Sequence, residues 1–76
     1  MQAQVKNVQG RAFYNSGTDW IDSNLQLNKN LPVKHIRFAG KEYFALLSKN
    51  PKAAEILALG KNVQFVMNNR IYEIHE

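Results

Sequence analysis

Apolar and polar positions alternate along the first part of the chain, a pattern typical of β-strands. Residues 5–14 are predicted to be extended, with a bend at Gly10, where a glycine inside a strand often marks a bulge. Residues 15–18 are polar and contain a second glycine, which predicts a turn. Residues 19–22 then resume the strand pattern, so the sequence predicts an N-terminal hairpin.

The middle of the chain combines a polar stretch with a clearer strand pattern. Residues 23–32 are rich in asparagine and predict a loop that has room for a short edge strand at 25–27. Residues 33–38 alternate again and predict a strand whose apolar side chains share one face. The charged side chains expected on its solvent face are His35 and Arg37.

The hydrophobic period changes after Gly40 from two residues to between three and four. The new spacing predicts a helix over residues 41–49. Asn50 and Pro51 end this helix, because the residue before proline avoids the helical region. The same dipeptide is also well suited to begin a second helix, with Asn50 as its N-cap and Pro51 at its first position. Gly60 is placed to end this helix in the left-handed conformation.

Two further alternating segments, 63–67 and 70–74, flank Asn68 and Asn69. Asparagine tolerates the positive φ that a type I′ turn requires at both central positions, so this pattern predicts a C-terminal hairpin. The whole chain is predicted to be a single α+β domain, residues 1–76, with an ordered core of about 5–75. We expect a small twisted antiparallel sheet or half-barrel, in the order ββ-β-αα-ββ, covered by a helical hairpin.

Large apolar side chains at the in-phase positions of these elements are predicted to form the core. They are Phe13, Trp20, Ile36, Phe38, Phe44, Leu47, Ile56, Leu57, Val63, Phe65, Tyr72 and Ile74.

Composition limits the function classes that remain. The chain has 76 residues and no cysteine, which excludes a disulfide framework and any thiolate metal site. Its apolar runs are far shorter than the roughly 20 residues that span a bilayer, so no membrane insertion is expected. The formal net charge is +4, and the basic residues are spread along the chain, as is typical of a solvated surface.

Nucleophilic catalysis requires a nucleophile, a base and an orienting group within mutual reach. The side chains that could supply them are scattered over the sequence: Ser16, Ser23, Ser48, His35, His75, Asp19 and Asp22. None of the serines lies in a glycine-x-serine-x-glycine elbow. Asp19 and Asp22 are better explained as the residue that opens a strand and the residue that caps the following turn. We therefore expect no enzymatic activity.

A metal or cofactor site is also not expected. The candidate ligands are His35, His75, Asp19, Asp22 and Glu73. The only pair among them with the short i,i+2 or i,i+4 spacing of zinc and calcium motifs is Glu73-x-His75, at the end of the chain. Gly40 and Lys41 stand at a strand-to-helix junction but lack the glycine spacing of a phosphate-binding loop, so Gly40 is interpreted as a turn residue.

Nucleic-acid binding is the main alternative to a protein-interaction role. Small basic sheets can stack bases on exposed aromatic rings. The rings available are Tyr14, Trp20, Phe38 and Tyr72. This alternative predicts that Trp20 or Tyr72 is exposed within a continuous basic face, whereas an interaction module predicts buried Phe13, Trp20 and Phe44 and scattered charge. The residues proposed as an interaction surface are Lys34, His35, Arg37 and Arg70.

The chain also resembles a known family. The shared pattern is Val8-x-Gly10-Arg11-x-Phe13-Tyr14, Gly17-x-x-Trp20-Ile21-Asp22-Ser23, Val33-x-x-Ile36-x-Phe38, Tyr43-Phe44-x-Leu46-Leu47, Pro51, Ala58-Leu59-Gly60, Val63 and Tyr72-x-Ile74. It is similar to a short C-terminal module of bacterial surface proteins that carry a vault/inter-α-trypsin (VIT) domain and a von Willebrand factor type A domain. The similarity covers about residues 5–74.

The resemblance implies an accessory domain at the end of a larger, exported or cell-envelope protein. The metal-dependent adhesion site of such proteins belongs to the type A domain, and this chain has no Asp-x-Ser-x-Ser run that could supply it. We therefore expect a non-catalytic module that docks on its parent chain or on a protein partner, as a monomer or a weak dimer formed through a free sheet edge. The alternative is a small basic nucleic-acid-binding domain.

Overall fold

Six strands form one sheet, and two helices pack against it, in a computed structural model that describes residues 4–76. The predicted α+β class is confirmed. The strands are β1 (Val5–Val8), β2 (Arg11–Asn15), β3 (Trp20–Asp22), β4 (Val33–Arg37), β5 (Val63–Met67) and β6 (Arg70–His75). The α-helices are α1 (Lys41–Lys49) and α2 (Ala53–Leu57), and a 3-10 helix covers Ser23–Leu27.

The sheet is mixed, with the strand order β1-β2-β3-β5-β6-β4. The hairpin pairs are antiparallel, but β3 pairs with β5, and β4 with β6, in parallel. The expectation of a wholly antiparallel sheet is wrong for these two pairings. Each joins strands that are not consecutive in the chain, and alternation within a strand carries no information about the direction of such a distant neighbour.

The first predicted strand is in fact two strands joined by a tight turn. Gln9 and Gly10 both have positive φ, 54° and 75°, and Val8 lies opposite Arg11. Two consecutive left-handed residues make the turn that matches the twist of a two-residue hairpin. Gly10 therefore reverses the chain instead of bending it, and β1 becomes one edge of the sheet.

The Gly10 turn can be tested by substitution to alanine. A Cβ atom at Gly10 would have no neighbour within 4 Å, so only the backbone strain of φ +75° opposes it. Because the left-handed region costs a non-glycine residue about 1–2 kcal/mol, Gly10→Ala should lower the free energy of unfolding by that amount in urea titration. Gly60→Ala is the matched control: φ is not positive at Gly60, and its Cβ would make an ordinary 3.4 Å contact with Trp20. A loss at Gly10 no larger than that at Gly60 would contradict the assigned turn.

The segment after β3 is helical instead of extended. The 3-10 helix Ser23–Leu27 occupies the position where an edge strand at 25–27 was considered, and it contacts β2 and β5. Asp22 caps this helix, because its carboxylate accepts the backbone N–H of Asn24 at 2.9 Å. The prediction that Asp22 caps the following turn is thus confirmed.

The two helices differ in how well their ends were predicted. α1 has the predicted bounds. Asn50 caps the end of α1, because its backbone N–H and its side-chain Nδ2 both donate to the carbonyl of Leu46. The helix α2 begins only at Ala53. The expected role of Asn50 as an N-cap is therefore wrong. Gly60 does not adopt positive φ, so its predicted left-handed role is wrong; it lies against the Trp20 ring at ordinary van der Waals distance.

The core lies between the helices and one face of the sheet. Asn68 and Asn69, with φ of 55° and 60°, form the predicted turn between β5 and β6. The predicted core residues are buried or partly buried with the exception of Phe44, whose side chain is 56% exposed on α1. On the helices, Ile56 and Leu57 are buried as predicted, and Tyr43, Leu46 and Ala53 are buried in addition.

Candidate functional site

The serine and histidine candidates lie apart. Ser16 faces the carbonyl of Asp19 within the β2–β3 turn, while Ser23 and Ser48 are exposed on two different helices. Within residues 4–76, no hydrogen bond joins a serine hydroxyl to a histidine ring. His35 instead pairs with Glu73, with 3.3 Å between Nδ1 and Oε1, on an open face of the sheet. The geometry does not assemble a nucleophile with a base.

Among the described residues, Asp22 is the most buried polar side chain, and both of its carboxylate oxygens accept hydrogen bonds. Its Oδ2 accepts Nη1 of Arg11 at 3.0 Å and the backbone N–H of Val66 at 3.2 Å, and its Oδ1 caps Asn24. Nη1 of Arg11 also donates to the carbonyl of Val66. This cluster ties β2, β3 and β5 together, so Asp22 has a structural role and no oxygen facing solvent.

The burial of the Arg11–Asp22 cluster is not among the sequence predictions, although the alternation of residues along β2 and β3 indicates it. Arg11 lies two residues before buried Phe13, and Asp22 two residues after buried Trp20. A period of two places each charged residue on the core face of its strand. Opposite charges on the same face of two paired strands therefore indicate a buried ion pair.

The remaining metal candidates do not converge. Asp19 accepts hydrogen bonds from Gln64 at 2.9 Å and from Thr18 at 2.8 Å, and so stabilises the turn. In the described part of the chain, no group of three histidine, aspartate or glutamate side chains is placed to share an ion.

The aromatic rings that a base-stacking surface would need are largely internal. Trp20 is 8% and Tyr72 is 6% exposed. Tyr72 stacks on Phe65 with 5.4 Å between ring centroids, and Lys6 covers Trp20 at 5.0 Å. Neither ring is available as the exposed platform that the nucleic-acid alternative predicts.

The four residues proposed as an interaction surface fall on two faces of the sheet. Lys34 pairs in register with Tyr72, which faces the helices, and its Nζ lies 2.8 Å from the carboxylate of Glu42 on α1. Arg70 begins β6 and lies near Lys34 in the same cleft. His35 and Arg37 alternate with Lys34 and therefore point to the opposite face.

The cleft between α1 and the start of β4 and β6 has a volume of about 450 Å³. Its charged residues are Lys34, Lys49, Arg70 and Glu42, and Asn50, Asn68 and Tyr72 also line it. Three cations against one carboxylate give it a net charge of +2. A smaller cleft of about 230 Å³ adjoins it, lined by Pro32, Val33, Lys34 and Arg70.

The strand beside these clefts, β4, is the second edge of the sheet. The N–H of Ile71 donates to Pro32, and the N–H of Phe38 donates to His75, so even-numbered residues of this segment bond to β6. Odd-numbered residues consequently point their backbone groups away from the sheet. The carbonyl of Arg37 accepts the N–H of Gly40, which leaves Val33 and His35 at the unpaired edge.

The face of the sheet opposite the helices carries one continuous row of side chains. Register places Val5 opposite Tyr14, and then Ile21, Gln64, Glu73 and His35 on the successive strands. The first three residues make one half of the row apolar, and Val5 is 58% exposed. In the described residues, both α-helices contribute to the core on the other face. On the face that carries this row, Tyr14 and Ile21 are partly buried, and Ile71, which pairs with Val33 and Val66, is buried.

Comparison with family models, with curated proteins and with solved structures found no match to this chain. Neither α-helix of the described residues has the length and apolar character needed to cross a bilayer.

Proposed function

We propose that this chain is a non-catalytic interaction module that docks, through the open face of its sheet opposite α1 and α2, on neighbouring domains of its own polypeptide or on another protein. The observation that carries the proposal is the row from Val5 to His35, whose apolar half is exposed at Val5 and partly exposed at Tyr14 and Ile21. A partly apolar surface that its own fold does not cover is typical of protein interaction sites. The reactive side chains, by contrast, are scattered or engaged in structural contacts.

The parent protein that we propose is a bacterial surface protein of the VIT and von Willebrand type A class, with this chain as its terminal domain. The residue pattern that resembles this class lies at positions of the structure that support a structural role. Gly10 makes a left-handed turn, Phe13 and Trp20 are buried in the core, Asp22 anchors a buried cluster and Gly60 lies against Trp20. An accessory domain in the cell envelope or outside the cell follows from this proposal.

The test begins with the reading frame. If an adhesion-type domain is encoded in the same polypeptide, that remaining part is expressed separately and titrated into the ¹⁵N-labelled 76-residue chain. We expect amide shifts on the open face, centred on Tyr14, Ile21 and Val66. Val5→Glu, which places a charge at the exposed end of the row, should weaken binding about tenfold, which corresponds to roughly 1.4 kcal/mol.

Leu27→Glu is the matched control, since Leu27 is 84% exposed and lies outside the row. It should leave the affinity unchanged. The proposal is wrong if the remaining polypeptide causes no shifts, or if both variants weaken binding equally. A parallel titration with a single-stranded oligonucleotide tests the alternative function: binding that falls steeply with added salt would favour nucleic-acid recognition.

A further inference from the structure

We propose that the free edge of β4, together with the basic cleft beside it, binds an extended acidic segment of a protein partner as an added strand. The inference rests on the proposed function, since it names the chemistry of one partner. It uses a different surface, however, because the cleft lies on the helix side of the sheet and not on the open face. Three features of β4 and its surroundings carry it.

The first feature is the unpaired backbone. Val33 and His35 direct their N–H and C=O groups away from β6, and β4 has a strand on only one side. Backbone groups of this kind form the template to which an extended peptide adds as a further strand. The free N–H of Arg37 extends this template by one donor, although its carbonyl is used by Gly40.

The second feature is charge. Among residues 4–76, Lys34 forms an ion pair with Glu42, whereas neither Lys49 nor Arg70 forms one. The cleft thus keeps two cations without a carboxylate partner. Side chains of an added strand alternate between the faces of the sheet, so every second residue of the peptide would point to the helix side and toward this cleft. A carboxylate at those positions complements the positive charge of the cleft. The guanidinium of Arg70 can bind such a carboxylate through two parallel hydrogen bonds.

The third feature is the smaller cleft lined by Pro32, Val33, Lys34 and Arg70. Val33 is 49% exposed, so the edge presents apolar surface next to two cations. Because Val33 and Lys34 are neighbours in β4 and point to opposite faces, a strand lying along β4 would meet the exposed Val33 on one face of the sheet and the basic cleft on the other. The occupant is therefore an extended segment with acidic residues at alternate positions and uncharged residues between them.

The probe is an acetylated and amidated ten-residue peptide that alternates glutamate with threonine, titrated into the ¹⁵N-labelled chain. Expected results are amide shifts confined to β4, Arg70 and the end of α1, and slower hydrogen exchange at Val33 and His35. Affinity should fall with added salt, since surface charges are screened within about 10 Å at 0.1 M ionic strength.

Two control peptides separate charge from strand addition. Replacement of every glutamate by glutamine should weaken binding about tenfold. N-methylation of alternate amides keeps the charges but blocks backbone pairing, and it should weaken binding to a similar extent. Equal affinity of the methylated and parent peptides, or no shifts at about 2 mM peptide, would overturn the proposal.

A matched pair of variants locates the site. Arg70→Gln should weaken the peptide about fivefold, while Lys61→Gln, which removes one exposed cation that pairs with Glu76, should leave its affinity unchanged. Equal losses in the two variants, or tighter binding of an oligothymidine at β4, would overturn the assignment to an acidic peptide. If the peptide fails while the remaining polypeptide still shifts Tyr14, Ile21 and Val66, this inference is wrong and the proposed function stands.

Discussion

Asp22→Ala is expected to lower the free energy of unfolding by about 3–5 kcal/mol, the typical cost of removing one partner of a buried ion pair. The substitution leaves the guanidinium of Arg11 without its carboxylate and removes the acceptor of two backbone N–H groups, those of Asn24 and Val66. A domain of this length has a total stability of about 4–11 kcal/mol, so the variant should be marginally folded or unfolded at 25 °C. Circular dichroism during urea titration measures the effect.

Asp19→Ala is the matched control for Asp22. It removes the same side chain at the other end of β3, where the carboxylate is half-buried and accepts from Gln64 and Thr18. The expected loss is about 1 kcal/mol. If Asp22→Ala does not fold, Asp22→Asn provides the measurement, because its amide keeps the cap on Asn24 but presents a donor to Arg11 or Val66. Equal stabilities of the Asp19 and Asp22 variants would show that the cluster does not hold β3 to β5.

Phe65→Ala is the second substitution with a large expected effect, about 3–5 kcal/mol. Phe65 is fully buried in the middle of β5 and stacks on Tyr72, so alanine leaves a cavity and removes an aromatic contact. Phe44→Ala removes the same side chain from an exposed position on α1, where it contacts only the edge of Tyr43 among the aromatic rings of the described chain. That variant should lose less than about 1 kcal/mol.

The comparison of these two phenylalanines also tests the orientation of α1. Thermal unfolding of the pair gives the result directly, since 1 kcal/mol shifts the midpoint by roughly 4–8 °C in a domain of this size. A larger loss for Phe44 than for Phe65 would mean that α1 is rotated and presents Phe44, not Tyr43, to the sheet.

The elements that could be predicted are those with two independent local signals. The bounds of α1 agree because the period changes after Gly40 and a proline follows Asn50. The Asn68–Asn69 turn combines two residues that tolerate positive φ with alternation on both sides. In the turn at Gln9 and Gly10, only Gly10 is a residue type that readily adopts positive φ. The sequence therefore predicts a bend within a single strand at this place.

The face that α1 buries could not be fixed by its sequence alone. Two adjacent apolar pairs, Tyr43-Phe44 and Leu46-Leu47, make a stripe wider than the contact with the sheet. A short helix can turn either edge of such a stripe inward. The structure selects Tyr43 and Leu46, which lie three residues apart, and leaves Phe44 to solvent.

The candidate site depends on long-range pairing, and for that reason it could be predicted only in part. The sequence predicts Lys34 and Arg70 as surface residues, but their shared cleft exists because β4 and β6 lie side by side in parallel. Neither alternation nor turn residues reveal that neighbours so distant in the chain are adjacent. The separation of His35 and Arg37 from Lys34, by contrast, follows from the period of two within one strand.

The parallel junction between β3 and β5 has a consequence for how the chain folds. Only two residue pairs, Trp20 with Val63 and Ile21 with Gln64, form this part of the ladder, and the bond from Val66 to Asp22 spans 44 residues. Closing a loop of that length costs entropy equivalent to about 4 kcal/mol. No disulfide reduces this cost by constraining the unfolded chain. The local hairpins at both ends of the chain can form without this cost, so we expect the junction to form last. The hydrogen bonds that join Arg11 and Asp22 to Val66 then act as the non-covalent cross-link that closes the domain.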